Sequence, residues 1–221
     1  MVQTPDGRET VKITLTGIGP MLTHSTAGMD PMNPIAVEIS ALTSKPPKEK
    51  KLLPNIIALQ QAEWKAGLYM APEGKDGALV PCLPTTAILG CIRDAAKSQR
   101  LGSEVTRSVD LDAGAFVALN YEGPKTLAGM WADHRFRYTT PVVIGRVKVL
   151  RTRPKFDEWS VDLTMIFDAE FMRRETLLDI VRLAGRRVGV GDYRPRFGRF
   201  ALTAIDGIMT DDGQQMQMAA E

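Results

Sequence analysis

Two stretches of this chain alternate apolar and polar residues with a strict period of two. In TVKITLT (residues 10–16) Val11, Ile13 and Leu15 are the apolar positions, and in WSVDLTMIF (159–167) every second residue from Trp159 to Phe167 is apolar. This alternation predicts strands that bury one face and expose the other. It therefore favours strands of a half-covered antiparallel sheet.

Apolar residues at helical spacing separate these strands. TTAILGCIRDAAKSQR (85–100) predicts one helix and residues from about 169 to 186 predict another, while PVVIGRVKVL (141–150) and GRFALTAI (198–205) predict two further strands. We expect 141–150 to pair with 159–167 through a turn around TRPKFDE (152–158). The resulting order predicts an α+β fold, namely a ferredoxin-like (RRM-like) βαββαβ core with an antiparallel four-stranded sheet. Helices cover one face of such a sheet, which leaves the other face free for a ligand or RNA.

The remaining segments predict one elaborated domain. Residues 1–221 form that domain, with insertions at about 25–80 and 100–140 and a flexible tail at 207–221. No apolar run reaches the roughly 18 residues that a membrane span requires, and MVQTPDGRET does not have the form of a secretory signal. We therefore expect a cytoplasmic protein without a membrane partner.

Charge is distributed unevenly along the chain. The formal net charge is only +2, but residues 135–199 contain 15 Lys plus Arg against 8 Asp plus Glu. An even mixture of signs is typical of an ordinary solvated surface, so this asymmetry favours a polyanionic partner. The two cysteines, Cys82 and Cys91, are not at zinc-finger spacing and are expected to be small apolar side chains rather than a disulfide or a metal site.

A glycine- and arginine-rich stretch, VGVGDYRPRFGRF (188–200), precedes the last predicted strand. A dinucleotide fingerprint requires a strand before the glycines and a helix after them. Here a helix comes first and a strand follows, which argues against a dinucleotide site. Glycines that allow close backbone approach, and arginines that can fork onto phosphate oxygens, instead favour a phosphate chain.

Three passages resemble the RAMP superfamily of CRISPR-associated proteins, and in particular the backbone subunits that polymerise along a guide RNA. ITLTGIGPMLTHS (13–25) is similar to the opening strand and proline turn of that family, and GVGDYRPRFGRFAL (189–202) is similar to its closing glycine-rich loop and strand. LVPCLPTTAILGCIR (79–93) resembles the family's helix entry, with matches at Pro81, Thr85, Thr86, Leu89, Gly90 and Arg93. Differences at Cys82 and Leu83 are typical of a diverged or phage-borne relative.

The resemblance implies a non-catalytic subunit that binds single-stranded RNA and oligomerises head to tail in a ribonucleoprotein complex. Arginine and glycine can contact phosphates, and tyrosine can stack on bases. A further basic group at Arg135, Arg137, Arg146, Lys148, Arg151 and Arg153 is expected to share one strand face. The predicted nucleic-acid-binding residues are Arg93, Arg146, Lys148, Arg151, Gly189, Gly191, Tyr193, Arg194, Arg196, Arg199, Lys48, Lys50 and Lys51.

Three alternatives remain open. One is a metal-dependent ribonuclease of the same fold, in which Asp30 binds Mg²⁺ or positions a water, although an aspartate before proline more often caps a turn. Another is a phage protein that coats or anneals single-stranded DNA, and the last is a structural module. His24 and His134 are not at metal-binding spacing, so no metal site and no cofactor are expected outside the nuclease alternative. Lys48, Lys50 and Lys51 either contact phosphates or belong to a solvated linker.

Overall fold

The structure is a computed structural model that describes residues 2–4, 7–73 and 78–220. Contacts divide the chain into two compact units. The first unit contains Met1–Met21, Ala71–Glu122 and Glu158–Glu221, and the second contains Leu22–Met70 and Gly123–Asp157. No helix within these described ranges is long and apolar enough to cross a membrane.

The regular elements make this a mixed α+β fold with antiparallel sheets. The strands are β1 (Val2–Gln3), β2 (Glu9–Gly17), β3 (Met21–Leu22), β4 (Met70–Glu73), β5 (Ala78–Pro84), β6 (Val109–Leu111), β7 (Phe116–Ala118), β8 (Arg137–Ile144), β9 (Val147–Phe156), β10 (Ser160–Phe167), β11 (Phe200–Ile205) and β12 (Ile208–Met209). The α-helices are α1 (Pro34–Ser44), α2 (Pro47–Lys50), α3 (Leu53–Gly67), α4 (Thr85–Ala96), α5 (Gly102–Ser108), α6 (Leu127–Ala132), α7 (Arg174–Arg187) and α8 (Asp211–Ala220).

The main sheet of the first unit has the strand order β12-β11-β2-β10-β6, and β1 also pairs with β2. β2 and β10 run antiparallel over their full lengths, with Leu15 opposite Val161 and Ile13 opposite Leu163. These apolar positions are all buried, as the period-two pattern predicts. The alternation therefore identified both central strands and the faces that they bury.

Helices α4 and α7 pack against each other, and α7 also packs on β11. Each presents a continuous apolar stripe, with Ile88 and Ile92 buried on α4 and Leu177 and Val181 buried on α7. Close packing brings the Cys91 thiol within 3.8 Å of the Ala184 carbonyl oxygen. The two helices predicted from spacing are thus confirmed, although α7 begins at Arg174 rather than near residue 169.

The predicted pairing of 141–150 with 159–167 is wrong. β8 pairs with β9 from Arg137 opposite Pro154 to Ile144 opposite Val147, so these strands form their own hairpin in the second unit. A two-residue turn at Gly145 and Arg146 closes it, with Gly145 at φ +62°. The place beside β10 is taken by the short strand β6. Alternation predicts a strand but not its partner, and the local turn decided the pairing.

Aromatic side chains form the core of the second unit. The Trp64 indole N–H donates to the Phe136 carbonyl oxygen at 2.7 Å, and the Trp64 ring lies 5.6 Å from that of Trp131. Phe136 also meets Phe156 edge-on at 5.9 Å. These contacts join α3, the turn after α6 and the base of the β8–β9 hairpin.

Three segments differ from the predicted arrangement of insertions and tail. Residues 100–122, which are predicted to belong to an insertion, contribute β6 and β7 to the first unit, where β7 pairs with β5. The second part of the second unit begins later, at Gly123. In the segment predicted to be a flexible tail, β12 pairs with β11, and α8 packs on β11.

Candidate nucleic-acid interface

The glycine-rich stretch lies between α7 and β11, as the sequence predicts. The helix ends where the N–H groups of Val188 and Gly189 both donate to the Ala184 carbonyl oxygen at 2.9 Å. The N–H of Val190 then donates to the Gly198 carbonyl oxygen at 2.9 Å, which closes residues 190–198 into a loop. The loop therefore begins and ends at fixed backbone positions.

Two glycines, one in α7 and one at the end of this loop, allow backbones to touch. A Cβ on Gly185 would overlap the carbonyl oxygen of Phe200, and a Cβ on Gly198 would overlap that of Val190. Gly189 is buried and its N–H is used within the fold, so it is not offered to a ligand. Gly191 is part-buried. These contacts explain the glycines by chain packing, whereas their predicted role in phosphate binding stays a prediction.

The arginines of the loop, by contrast, face solvent. Arg194, Arg196 and Arg199 are all exposed, and Tyr193 is 41% exposed. The Arg199 side-chain Nε–H donates to the Pro195 carbonyl oxygen at 2.9 Å, while the Arg196 guanidinium has no hydrogen bond or ion pair among the described residues. The Arg194 guanidinium also donates to the Gly189 carbonyl oxygen at 3.4 Å, so of the three arginines Arg196 alone is both exposed and without such a contact among the described residues.

Arg93 adds to this basic surface from α4. Its side chain is 46% exposed and lies 3.7 Å from the Asp94 carboxylate. The pKa of Asp94 is lowered chiefly by the hydrogen bond from Lys97, and the charges of Arg93 and Arg194 lower it further. Arg194 is therefore close enough to α4 to influence its carboxylate. We call Arg93, Tyr193, Arg194, Arg196 and Arg199 the loop surface.

The two cysteines are buried and free, as expected from the sequence. Burial raises the pKa of the Cys82 thiol to about 11 and that of Cys91 to about 12. Both thiols therefore stay protonated near neutral pH, which makes them poor nucleophiles.

A second basic surface lies at the end of the β8–β9 hairpin, residues 143–150, which we call the hairpin tip. Arg146 lies in the turn and Lys148 follows it; both are exposed and have no ion pair within the described ranges. Apolar side chains flank them, since Val143, Val147 and Leu150 are 65%, 61% and 56% exposed. The tip therefore combines unpaired cations with exposed aliphatic surface.

The expectation that the basic residues of this hairpin share one strand face is wrong. The register places Lys148 opposite Val143 on one face and Arg151 opposite Thr140 on the other. Because side chains alternate along a strand, Arg151 and Arg153 point away from Lys148. The two-residue turn at Gly145 fixes this register.

Several of these cations are engaged inside the second unit. The Arg151 guanidinium pairs with the Glu63 carboxylate, which is 8% exposed and also accepts the Thr152 backbone N–H at 3.2 Å. Arg135 pairs with Asp133 at 2.7 Å, and the Arg137 guanidinium lies 4.6 Å from the centre of the Trp131 ring. Arg151 therefore has a clear role in holding the hairpin to α3, and its role in binding stays a prediction.

The three predicted lysines near α2 are exposed to solvent. Lys48, Lys50 and Lys51 are exposed in and directly after α2, and no ion pair involves them in the part of the chain that the structure describes. Lys45 differs, because its ammonium donates to the Asn55 side-chain oxygen at 2.7 Å.

Asp30 lies in an exposed turn before α1. Its carboxylate accepts the Met32 backbone N–H at 2.9 Å, which is the turn-capping role that the sequence left open. Among the described residues no group of three or more His, Cys, Asp and Glu side chains is arranged to hold a metal ion. A catalytic role for Asp30 stays a prediction without support from neighbouring ligands.

The open face of the main sheet is polar but not strongly basic. The Thr14 hydroxyl donates to the Asp162 carboxylate at 2.6 Å, and the Asn120 amide donates to the same carboxylate at 2.8 Å. Thr16 and Thr203 share a hydrogen bond at 2.7 Å. A central carboxylate repels phosphate, so this face is a weaker candidate for nucleic acid than the loop surface.

One acidic feature has no signal in the sequence. Asn120 and Ser160 form an isolated bridge, with N–H to oxygen distances of 2.8 and 2.9 Å, and this brings Glu122 near Glu158. Both carboxylates line the same groove, although they are far apart in the chain. Only the long-range pairing of the strands reveals them as neighbours.

No protein-family model matches this sequence, and no curated protein matches it. Among solved structures, the chain is similar to one in a cryo-EM structure of the Type III-B Cmr-beta bound to cognate target RNA, with a TM-score of 0.44 and 12% sequence identity. The likeness covers 91% of this chain and 61% of that chain. The chain therefore spans about three-fifths of the length of that neighbour, and the likeness assigns no function to it.

Proposed function

We propose that this chain is a non-catalytic subunit that binds single-stranded RNA through the loop surface and the hairpin tip and assembles head to tail along it. The observation that carries this proposal is the exposure of Arg194, Arg196, Arg199 and Tyr193 on one closed loop and directly after it. One guanidinium group can donate hydrogen bonds to two phosphate oxygens at once, and a part-exposed tyrosine ring can stack on an unpaired base. The hairpin tip offers two further unpaired cations.

We further propose that the first unit is a ferredoxin-like core. The strand order β11-β2-β10-β6, with α4 and α7 packed together, supports this assignment. In this proposal β6 takes the place of the second strand, which was predicted at 141–150. The sequence resemblance to CRISPR-associated backbone subunits is compatible with that core, and it supports guide RNA as the ligand.

The proposal is tested by measuring binding of the purified protein to labelled oligonucleotides. The protein is first washed in high salt and treated with nuclease, and its affinity for a single-stranded RNA, the matching DNA strand and an RNA duplex is measured by fluorescence anisotropy. We expect the single-stranded RNA to bind most tightly. Preference for the DNA strand would favour the DNA-coating alternative, and no salt-sensitive binding to any of the three would contradict the proposal.

The residues are tested by charge reversal. The double variant Arg194→Glu, Arg199→Glu should weaken RNA binding by at least about tenfold, and uniformly across sequences, because phosphate contacts carry no base information. A matched control is Arg107→Glu, Arg173→Glu, which makes the same charge change at exposed arginines elsewhere in the first unit, in α5 and directly before α7. Equal losses in the two variants would mean that net charge, and not the loop surface, governs binding.

A further inference from the structure

The groove that contains Glu122 and Glu158 is a built feature of the first unit. Its volume is about 340 Å³, at the small end of the roughly 300–1,000 Å³ of ligand clefts. Asn120 and Ser160 form its backbone bridge, and Tyr121 and Trp159 also line it. We call these six residues the acidic groove.

The negative charge of the acidic groove favours a positively charged partner. Glu122 and Glu158 are exposed, and neither forms an ion pair with a described residue. Behind them Trp159 is buried, and Tyr121 is part-buried enough for burial to raise the pKa of its phenol. Two unpaired carboxylates repel a phosphate chain and attract cations, while the part-exposed Tyr121 side chain provides apolar surface. The groove therefore fits a partner that combines positive charge with aliphatic side chains.

A segment of the second unit has this chemistry. Lys48, Lys50 and Lys51 are exposed and are followed directly by Leu52 and Leu53, which are 55% and 67% exposed. We call residues 48–53 the lysine–leucine segment. Prolines begin α2 at Pro47 and occupy the first turn of α3 at Pro54, so the segment loses little conformational freedom on binding.

We propose that the lysine–leucine segment of one copy of this chain docks into the acidic groove of a second copy. The proposal rests on the head-to-tail assembly proposed above and names the contact that would carry it. Groove and segment are different surfaces, so each copy uses one as donor and the other as acceptor, and such a contact repeats into an open chain. In this proposal the lysines of the segment bind carboxylates of a neighbouring copy and not the phosphates of a nucleic acid.

Two features favour this partner over nucleic acid for the lysine–leucine segment. Consecutive exposed leucines gain nothing from a phosphate backbone, whereas they bury apolar area against the part-exposed Tyr121 side chain of the groove. The hairpin tip carries an arginine, whose planar fork matches phosphate better than a lysine ammonium does. In this proposal the hairpin tip binds RNA, and the lysine–leucine segment binds the neighbouring copy.

The experiment is a charge swap, read by sedimentation velocity on nucleic-acid-free protein at low salt and again on protein bound to poly(U). The groove variant is Glu122→Lys, Glu158→Lys, and the segment variant is Lys50→Glu, Lys51→Glu. Each alone should weaken self-association by about tenfold or more, because like charges then face each other across the contact. Mixing the two variants, or combining all four changes in one chain, should restore assembly, because opposite charges face each other again.

Two controls accompany the swap. Glu170→Lys, Asp212→Lys makes the same charge change at exposed acidic residues outside the groove and should leave self-association unchanged. Arg146→Glu, Lys148→Glu should lower RNA affinity but not the self-association of nucleic-acid-free protein. Two results would overturn the assigned contact. One is failure of the mixed groove and segment variants to reassociate, and the other is loss of self-association in the hairpin variant but not in the groove and segment variants.

A carbodiimide crosslink tests the same contact without substitutions. Such a reagent joins a carboxylate directly to an adjacent ammonium, and a mixture of ¹⁴N- and ¹⁵N-labelled protein assembled on poly(U) separates links between copies from links within one. We expect mixed-isotope peptides that join Glu122 or Glu158 to Lys48, Lys50 or Lys51. RNA binding without such peptides would overturn this contact and leave the proposed function intact, whereas failure to bind RNA would be seen separately in the anisotropy measurement.

Discussion

The loop surface and the hairpin tip both display unpaired cations, but the fold holds them in different ways. The loop is closed at backbone level, where Gly198 meets Val190 so closely that no side chain fits between them. The turn of the hairpin tip has open space around it, since nothing lies within 4 Å of the position that a Cβ on Gly145 would occupy. The arginines of the loop thus depend on the packing of the first unit, whereas the cations of the tip depend on one two-stranded ladder.

The largest effect expected from this difference comes from Gly198→Ala. The residue has φ +74°, and a Cβ there would overlap the Val190 carbonyl oxygen, which is backbone and cannot rotate away. We expect the free energy of unfolding to fall by about 3–5 kcal/mol, because backbone strain and overpacking act together. Urea unfolding followed by circular dichroism measures it.

Gly145→Ala is the matched control in the hairpin. Its φ of +62° also disfavours alanine, but no neighbouring atom is in the way. We expect a loss of about 1–2 kcal/mol from conformation alone. Equal losses at the two glycines would show that the loop is no more tightly packed than the turn.

The base of the hairpin gives the next effect. Arg151→Ala leaves the Glu63 carboxylate, which is 8% exposed, without its cation. Removing one partner of a buried pair costs roughly 3–5 kcal/mol, but Arg151 is itself 35% exposed, so we expect about 1–3 kcal/mol. Arg135→Ala removes a pair whose arginine is 64% exposed and should cost about 1 kcal/mol or less. Hydrogen exchange of β9 amides should increase in the first variant and not in the second.

Local patterns were sufficient to predict much of the first unit. Alternation identified β2 and β10 with their buried faces, and helical spacing identified α4 and α7. The position of the glycine-rich stretch between a helix and a strand was also predicted. Each of these features depends on residues close together in the chain.

Features that depend on partners distant in the chain were not predictable. The strand beside β10 is β6, a three-residue segment too short to show an alternation, and the stronger pattern at 141–150 formed its own hairpin. The Glu63–Arg151 pair and the acidic groove likewise join residues that sequence spacing cannot connect. For the candidate site, the sequence predicted which side chains carry charge. Only the fold shows that Arg151 is paired with Glu63, whereas Arg146 has no ion pair among the described residues.

Single truncations then compare the two surfaces in RNA binding. Arg196→Ala in the loop surface and Lys148→Ala in the hairpin tip each remove one unpaired, exposed cation. If each contacts one phosphate, the slope of log K against log salt should become shallower by about 0.7 in both variants. Stability should be unchanged, because neither side chain is buried. A change of slope in one variant alone would assign the phosphate contacts to that surface.

The smallest effect is a pH dependence at the base of the hairpin, where Asp133 accepts hydrogen bonds from the side chain and the backbone N–H of Arg135. The side-chain bond is the larger cause that lowers the pKa of Asp133 to about 2. A carboxyl of depressed pKa stabilises the fold above its unfolded pKa of about 3.9, and this contribution is lost as pH falls toward 2. Asp133→Asn should therefore lower stability slightly at pH 6 and should remove part of the decline between pH 4 and pH 2. Urea unfolding of both proteins at pH 6, 4 and 2.5 measures the difference, which should shrink as the pH falls. A difference that stays constant over this range would mean that Asp133 acts through the geometry of its turn and not through its charge.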